Sequence, residues 1–427
     1  MLDIKFVREN PEKVKENIRK KFQDKKLGLV DEVIELDRRI RELKTNGDVL
    51  RQERNKTSDE IGLLFREKKI YEANEKKQLV VEINEKLTKI EADEIELNEK
   101  LKEKMMVIPQ MIDDSVPIGK DDSENVEIER FGEPIVPEYE IPYHADICEA
   151  LQGLDKASAG RTSGNGFYYL MGDIARLHSA MLSYARDFMI DKGFKYCVPP
   201  FMIRSDVVNG VMSFEEMGAM MYKIQDEDLY LIGTSEHSMI GKFKGQIIKE
   251  EDLPIALTSY SPCFRKEVGA HGLEERGLYR VHQFEKQEMV VLCKKEDAMD
   301  WYNKMWSYTV EFFRNLDVPV RTLECCSGDL ADLKVKSCDV EAWSPRQKKY
   351  FEVGSCSTLG DAQARRLGIR AKGENGNYLL STLNNTVVAS PRGMIAVIEN
   401  NYNEDGSINI PKALQPYMGG KEVIKLK

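Results

Sequence analysis

The chain has 427 residues, of which 32% are charged, and its formal net charge is −10. This acidic balance argues against a broad basic surface for nucleic acid, although a local basic stripe could still bind one. No run of about 18 apolar residues occurs and the first residues lack the apolar segment of a signal peptide, so we expect a cytoplasmic protein without a membrane span. The eight cysteines form no C-x-x-C pair, which argues against zinc. The length suggests two or three domains.

Residues 1–108 are predicted to form a helical N-terminal domain. Asp3 and Asn10-Pro11 mark the starts of two short helices, because an acidic N-cap and a proline in the first turn favour helix initiation. Apolar residues then recur at alternating spacings of three and four over 29–65 and again over 75–108. This pattern predicts an antiparallel two-helix coiled-coil arm, about 50 Å long at about 1.5 Å per residue.

The seam of this predicted arm is imperfect, because Gly47, Arg54, Glu94 and Lys104 fall at core-type positions. We therefore expect a flexible arm rather than a tightly zipped one. The pattern alone leaves two interpretations open. The arm could be a stalk or dimerisation element, or it could reach for a long ligand with one of its faces.

Residues 109–145 are rich in proline and predict a linker, with a short strand at 126–130. Residues 146–427 predict an α+β domain. Its strands are expected near 167–170, 194–200, 229–232, 257–267, 278–291, 319–324, 336–343, 350–355 and 377–389, and its helices near 177–192, 295–316 and 391–400. Because several strands follow one another without helices, we expect an antiparallel sheet flanked by helices. No Rossmann or P-loop glycine motif is present.

Segment 261–288 is predicted as a strand, a glycine-containing loop and a second strand. Alternation places Arg265 and Glu267 on one face of the first strand. On the second strand it places a cation, an aromatic ring and a carboxylate on one face, through Arg280, His282, Phe284, Lys286 and Glu288. Such a face suits a nucleotide, since a ring can stack on the base and an arginine can pair with a phosphate. An edge hairpin with a solvated charged face explains the hairpin alone equally well.

Three segments follow one another in a characteristic order: a helix and strand ending in Pro199-Pro200, the Phe264-Arg265-x-Glu267 hairpin, and a late arginine, Arg392, opening a helix. This order resembles the three motifs of class II aminoacyl-tRNA synthetases. Further segments along essentially the whole chain are similar to those of the seryl-tRNA synthetases. They are Met1-Leu2-Asp3-Ile4-Lys5, Gly233-Thr234-Ser235-Glu236, the run from Arg280 to Glu288, Glu352-Val353-Gly354-Ser355, Gln363-Ala364-Arg365-Arg366, Leu383-Asn384-Asn385-Thr386 and the tail from Asp405 to Gly420.

The resemblance implies a ligase that activates L-serine with ATP and transfers it to tRNA(Ser), and also to selenocysteine tRNA. It implies that Arg265, Glu267 and Arg392 are catalytic. Arg265 would meet the α-phosphate, Glu267 the adenine amine, and Arg392 one adenine face and the γ-phosphate, with Phe284 stacked on the other face. The full ATP-binding set is expected to be Arg265, Lys266, Glu267, Arg280, Val281, Phe284, Glu352, Val353, Gly354, Ser355 and Arg392.

By the same resemblance, the expected L-serine-binding residues are Thr234, Ser235, Glu236, Arg265, Glu288, Asn384 and Thr386. Thr234 and Glu236 would hold the ammonium group, and Glu288 would accept from the hydroxyl. Glu352 and Ser355 offer oxygen ligands for Mg²⁺ at the phosphates. The zinc-dependent form of this family has a different N-terminal domain, so no zinc is expected.

The resemblance further implies that the arm grips the long variable arm of the tRNA by its shape and phosphates. It implies a homodimer with residues 177–200 at the interface, and a loop over 268–277 that orders above ATP. Two other functions would leave different sequence features. A relative that loads a carrier protein would lack the arm, and a non-catalytic paralogue would be expected to lose Arg265, Glu267 or Arg392.

Overall fold

The computed structural model describes residues 1–267 and 277–426. The chain divides into two compact units, Met1–Met111 and Ile112–Lys427. The first is helical, and the second contains a mostly antiparallel sheet with helices against it. The predicted α+β class, with a helical arm followed by such a sheet, is confirmed. Among the described residues, no helix combines the length and the apolar character needed to cross a bilayer.

The first unit contains two short helices, α1 (Ile4–Glu9) and α2 (Pro11–Lys20), which pack on the long helix α3 (Leu27–Arg66). As predicted, Asp3 caps α1, where its carboxylate accepts from the backbone N–H of Lys5 at 2.8 Å. Pro11 opens α2, also as predicted. The apolar core of this base includes Val7, Val14, Ile18, Val30, Val33 and Met105.

The arm consists of α3, with 40 residues, and α4 (Ile70–Val107), with 38. The turn between them is shorter than predicted: it takes residues 67–69 and places Lys68 at a φ of 62°. Several predicted seam positions are buried, among them Val33, Ile40, Gly47, Ile83, Leu87 and Leu97. Glu94 is tolerated at its core-type position because Lys44 of the opposite helix lies 3.5 Å from its carboxylate.

The second unit begins at Ile112, so the segment predicted as a linker is part of it from that residue on. Short 3-10 helices lie at Asp122–Glu124, Glu250–Asp252 and Lys412–Met418. Its other elements, in chain order, are β1 (Val126–Phe131), α5 (His144–Ala150), β2 (Leu154–Asp155), α6 (Lys156–Ser163), β3 (Tyr169–Leu170), α7 (Gly172–Asp191), β4 (Lys195–Tyr196), β5 (Met202–Ile203), α8 (Ser205–Val211), α9 (Phe214–Met220), β6 (Tyr230–Leu231), α10 (Ser235–Gly241), β7 (Ile247–Lys249), β8 (Ile255–Phe264), β9 (Gln283–Cys293), α11 (Ala298–Arg314), β10 (Val320–Glu324), β11 (Lys336–Ser344), β12 (Lys349–Thr358), α12 (Ala362–Leu367), β13 (Arg370–Gly373), β14 (Gly376–Leu379), β15 (Ser381–Ser390), α13 (Arg392–Asn400), β16 (Ile408–Asn409) and β17 (Val423–Ile424).

The main sheet has the strand order β1-β10-β11-β12-β15-β9-β8-β4. All neighbours are antiparallel except β4 and β8, which are parallel. Helices α7, α11 and α13 bury one face of the sheet in the larger apolar core. Helices α8, α10 and α12 lie on the other face of the sheet, at one end of β8 and β9. A second apolar core joins them to these strands. A cavity opens on the remainder of this second face.

A bulge in β12 decides which of its side chains reach that cavity. Ser355 pairs with Asp339 and Glu352 pairs with Glu341, with one surplus residue, Val353, in between. Asp339 and Glu341 are two residues apart and therefore share a face of β11. Glu352 and Ser355 consequently share that face too, although they are three residues apart.

A second bulge acts in the same way in β15. Thr386 pairs with Glu288, whereas Ala389 pairs with Lys286, because Val387 is the surplus residue. Glu288 and Lys286 share one face of β9, so Thr386 and Ala389 share it as well. The two bulges together gather the polar side chains of three strands on the open face of the sheet.

Candidate active site

Most of the residues predicted to bind ATP line a single cavity on the open face of the sheet. Lys266 and Ser355 are the two predicted ATP residues that lie outside its lining. The lining consists of Arg265, Glu267, Tyr279, Arg280, Val281, Phe284, Lys286, Glu352, Val353, Gly354, Thr386, Ala389, Ser390, Pro391 and Arg392.

The prediction that Arg265 and Glu267 lie on a strand is wrong, because β8 ends one residue before Arg265. The backbone N–H of Lys266 donates to the carbonyl of Met220 at 3.0 Å rather than to the neighbouring strand. Glu267 has a φ of 46°, in the left-handed region, so the chain turns out of the sheet here. The loop that follows, 268–276, lies outside the described residues.

The second strand of the hairpin also begins later than predicted, so Arg280 and Val281 precede β9. His282, just before the strand, donates its backbone N–H to the carbonyl of Gly166 at 2.8 Å. A Cβ on Gly166 would lie 2.4 Å from the His282 ring, so only glycine fits beneath that ring. The hydroxyl of Tyr222 lies 3.1 Å from His282 Nδ1. These contacts give His282 a packing role at the base of the hairpin.

Arg265 is held by two contacts that suit its planar guanidinium. Its Nε donates to the carbonyl of Gly233 at 3.1 Å, and the guanidinium lies 5.2 Å from the centroid of the Phe284 ring. Elsewhere in the cavity lining, a guanidinium nitrogen of Arg280 lies 3.8 Å from the Glu267 carboxylate. The hairpin thus brings its two arginines, its aromatic ring and the Glu267 carboxylate together, as predicted. Of these four residues, only Phe284 lies on a strand.

Arg392 opens α13 and also lines the cavity. Its Nε donates to the carbonyl of Tyr279 at 3.3 Å, and its guanidinium lies 4.3 Å above the Tyr279 ring. Another of its nitrogens lies 3.0 Å from a Glu352 carboxylate oxygen. Burial lowers the pKa of Arg392, whereas the nearby Glu352 and Tyr279 raise it. The raising effects outweigh the burial effect, so the pKa lies above its ordinary value. The side chain therefore keeps a fixed positive charge over the cavity.

The residues predicted to bind Mg²⁺ fit a hard cation. The bulge in β12 places Glu352 and Ser355 on one face, and the Glu352 side chain is 44% exposed toward the cavity. Asp339, opposite Ser355, was not predicted from the sequence. Burial and the nearby charge of Glu352 raise the pKa of Asp339 to about 7. Carboxylate and hydroxyl oxygens are the donors that Mg²⁺ prefers.

A neighbouring group of Cys325, Asp329 and Asp339 also offers donor atoms within 4.8 Å of one another. Its carboxylates already have protein partners. Asn125 donates to Asp329 at 2.9 Å, and the positive charge of Lys334 acts on both Asp339 and Cys325. We therefore assign no metal to this group.

The residues predicted to bind the serine ammonium group lie at the start of α10. Thr234 caps this helix by accepting from the backbone N–H of Glu236 at 3.3 Å. Gln363, which belongs to the family-like segment Gln363-Ala364-Arg365-Arg366, donates to a Glu236 oxygen at 2.8 Å. Thr382 in turn donates to the Gln363 carbonyl oxygen at 2.7 Å. The fully buried hydroxyl of Ser235 makes no hydrogen bond within the described part of the chain.

The residues predicted for the serine hydroxyl lie on the open face of β9 and β15. Glu288 is nearly inaccessible and forms an ion pair with the equally buried Lys286. The Thr386 hydroxyl donates to a Glu288 oxygen at 3.4 Å. Asn384 lies two residues before Thr386 on the same face, opposite Ser357. The fold thus brings Glu288 and Thr386 into direct contact, as the prediction requires.

Comparisons with known proteins agree with this geometry. The family described as "Seryl-tRNA synthetase N-terminal domain" matches residues 1–112, and "tRNA synthetase class II core domain (G, H, P, S and T)" matches residues 221–401. The serine–tRNA ligase of Methanoculleus marisnigri is 39% identical over 430 residues, which cover 99% of this chain and 100% of that relative. The chain belongs to the seryl-tRNA synthetase family.

Solved structures of the family superpose along the whole chain. The seryl-tRNA synthetase of Pyrococcus horikoshii, complexed with ATP, has a TM-score of 0.95 at 38% identity, with 100% of both chains covered. The cytoplasmic serine–tRNA ligase of Naegleria fowleri, in complex with AMP, has a TM-score of 0.89 at 30% identity, with 100% of this chain and 99% of that chain covered. The predicted resemblance is confirmed, and this family member is an aminoacyl-tRNA ligase.

Proposed function

We propose that the chain is a serine–tRNA ligase, which joins L-serine and ATP to give seryl-adenylate and pyrophosphate and then transfers the seryl group to tRNA(Ser). One observation carries this proposal. A cavity with stacking and cationic groups suited to ATP borders two neighbouring carboxylates suited to an amino acid that has a hydroxyl. The cavity groups are Arg265, Phe284, Glu352 and Arg392. The carboxylates are Glu236 and Glu288, whose charges interact, and we call the space beside them the serine pocket.

ATP activation by this site relies on positioning and charge. Phe284 and Arg392 stack on the two faces of adenine, and Glu267 accepts from its amine. Arg265 meets the α-phosphate, where negative charge concentrates as the serine carboxylate attacks and pyrophosphate departs. The distances that support this are the 3.1 Å bond that orients Arg265 and the 3.0 Å contact between Arg392 and Glu352. No general base is needed, because the attacking carboxylate is already ionised.

Mg²⁺ would be held by Glu352 and Ser355, where it supplies positive charge to the phosphate oxygens. The chain itself contributes three further effects. Arg392 neutralises part of the Glu352 charge at 3.0 Å. Asp339 faces Ser355 across the strands and orients its hydroxyl. Pairing of β12 with β11 fixes the backbone positions of Glu352 and Ser355 before the substrates arrive.

Recognition of serine uses the pocket beside the cavity. Glu236, oriented by Gln363, takes the ammonium group, and Arg265 takes the carboxylate. Glu288 accepts from the hydroxyl, alongside Thr386 and Asn384. Alanine is rejected because it would leave the buried Glu288 oxygen without its hydrogen bond.

The affinity for L-serine is expected to fall as the pH drops below about 7. Burial, followed by the negative charge of Glu288, raises the pKa of Glu236 to about 7. Only the ionised carboxylate attracts an ammonium group, so the attraction is present above this pKa and is lost below it. Well below the pKa, each pH unit should weaken binding up to about tenfold. The KM for serine between about pH 5.5 and 8 measures this effect. A flat profile would contradict the role of Glu236.

The partners of the reaction follow from the same proposal. The helical arm grips tRNA(Ser). Selenocysteine tRNA is a second acceptor in this proposal, which charging of that transcript would test. The enzyme acts as a homodimer with residues 177–200 at the interface. The apolar residues Ile190 and Val198 in this stretch are 44% and 68% exposed. A monomeric mass in solution would contradict the dimer.

The proposed function predicts that only L-serine, of the twenty amino acids, stimulates ATP–pyrophosphate exchange strongly. The measurement is exchange with each amino acid in turn, followed by charging of a tRNA(Ser) transcript. Alanine should be at least about 10³-fold poorer in kcat/KM, because the hydroxyl bond is lost from a buried pocket. Stimulation by another amino acid as strong as that by serine would overturn the assignment.

A further inference from the structure

Lys286 forms a buried ion pair that the reaction described above does not use. Its ammonium group contacts the Glu288 carboxylate, and the two side chains are only 6% and 2% exposed. Both lie on the open face of β9, two residues apart. Lys286 also lines the cavity proposed to bind ATP, so it borders both that cavity and Glu288.

The charges in the pocket must match those of the substrate. Serine brings one ammonium group, one carboxylate and a neutral hydroxyl. Glu236 and Arg265 match the first two, which leaves Glu288 facing the hydroxyl. Glu288 is close enough to Glu236 for its charge to raise the pKa of that group. Without a neighbouring cation, the pocket would present two negative charges to a substrate with one ammonium group.

We propose that Lys286 is a specificity-determining residue, which neutralises Glu288 so that this end of the pocket accepts a neutral hydroxyl and rejects a cationic side chain. This inference rests on the proposed function. The substrate class excluded is the amino acids with an ammonium group at the β-carbon. The nearest is 2,3-diaminopropionate, in which the serine hydroxyl is replaced by an amino group.

The contacts around Glu288 explain how one lysine can have this effect. Thr386 donates to one Glu288 oxygen at 3.4 Å, and Thr258 donates to the Glu288 backbone carbonyl at 2.8 Å. With Lys286 in place, a second ammonium group would meet a like charge in a site of low dielectric. Without Lys286, the same ammonium group would meet an uncompensated carboxylate.

The test compares kcat/KM for 2,3-diaminopropionate and for serine in ATP–pyrophosphate exchange. Wild type should prefer serine by at least about 100-fold, as expected for a misplaced buried charge. In Lys286→Gln and Lys286→Met, the ratio should shift toward 2,3-diaminopropionate by about tenfold or more. The Gln variant keeps a hydrogen-bond donor to Glu288 but has no charge. It therefore tests the proposal even if the Met variant does not fold. The double variant Lys286→Gln/Glu288→Gln should not show the shift.

Two controls complete the design. Lys286→Arg keeps the charge and should keep the ratio within about threefold of wild type. Lys249→Met removes a lysine from an exposed pair with Glu251, in which both side chains are 74% exposed, and should change nothing. A wild type that uses both substrates equally, or an unchanged ratio in Lys286→Gln, would overturn the inference. If the Lys286 variants instead lower kcat and leave the ratio of the two substrates unchanged, Lys286 acts on the phosphates of ATP. Failure of wild type to use serine at all would refute the proposed function itself.

Discussion

Replacing Arg265 by alanine is expected to lower serine-dependent ATP–pyrophosphate exchange by about 10³-fold. The proposal places this guanidinium at the α-phosphate, where charge develops in the transition state. Its position is fixed by the bond to Gly233 at 3.1 Å and by the Phe284 ring at 5.2 Å. The loss should therefore appear mainly in kcat, because the interaction is stronger in the transition state than in the bound substrates.

Arg265→Lys should lose about 10²-fold, because an ammonium group cannot both donate in this fixed direction and stack on the ring. A matched control is Arg130→Ala on the edge strand β1, where the arginine pairs with Glu127 at 2.7 Å and its side chain is 56% exposed. This control should keep wild-type exchange. Retention of more than a tenth of the exchange in Arg265→Ala would contradict the role given to this residue.

Shortening the helical arm is expected to abolish tRNA charging while serine-dependent exchange stays within about twofold of wild type. Charging should fall by about 100-fold or more, which corresponds to the loss of a few charge-assisted contacts. Exchange needs only the cavity and pocket, which lie within the second compact unit. The two assays on one variant therefore separate the two functions.

The structure indicates where to cut. Residues 46–92 can be removed, because Lys44 and Glu94 face each other at 3.5 Å and a linker of about four residues spans two packed helices. The cut preserves the base of the arm, whose core includes Val30, Val33 and Met105. Thermal unfolding should confirm that the shortened chain is folded. Loss of exchange in a folded, shortened protein would refute the separation into two functional units.

Much of the fold was predictable from local sequence signals. The arm follows from the heptad spacing, since Val33, Ile40 and Ile83 recur where a two-helix seam needs them. Helix starts follow from caps, as at Asp3 and Pro11. Where the sheet ladder stops was not predictable. The sheet hydrogen bonding stops near Arg265 because the backbone N–H of Lys266 donates to Met220, a residue distant in sequence.

The supporting residues of the pocket were also beyond the sequence analysis. Gln363 carries no chemistry that singles it out, and its role depends on a 2.8 Å contact with Glu236 that tertiary packing creates. Asp339 and Tyr279 were missed for the same reason. A partial signal existed for Lys286, which shares the predicted face of Glu288, but only burial reveals that the two neutralise each other.

The bulges at Val353 and Val387 have a consequence for how these strands tolerate changes of length. Along a regular strand, odd and even positions point to opposite faces, so face membership behaves as a parity. Each surplus residue reverses that parity once. Two residues on either side of it, such as Glu352 and Ser355 or Thr386 and Ala389, therefore share a face although they are three positions apart. Loss of Val353 alone would remove the bulge and leave Glu352 and Ser355 two positions apart in a regular strand, still on one face. A deletion of the surplus residue can therefore be absorbed, whereas a deletion in the regular part of either strand moves every residue beyond it to the opposite face.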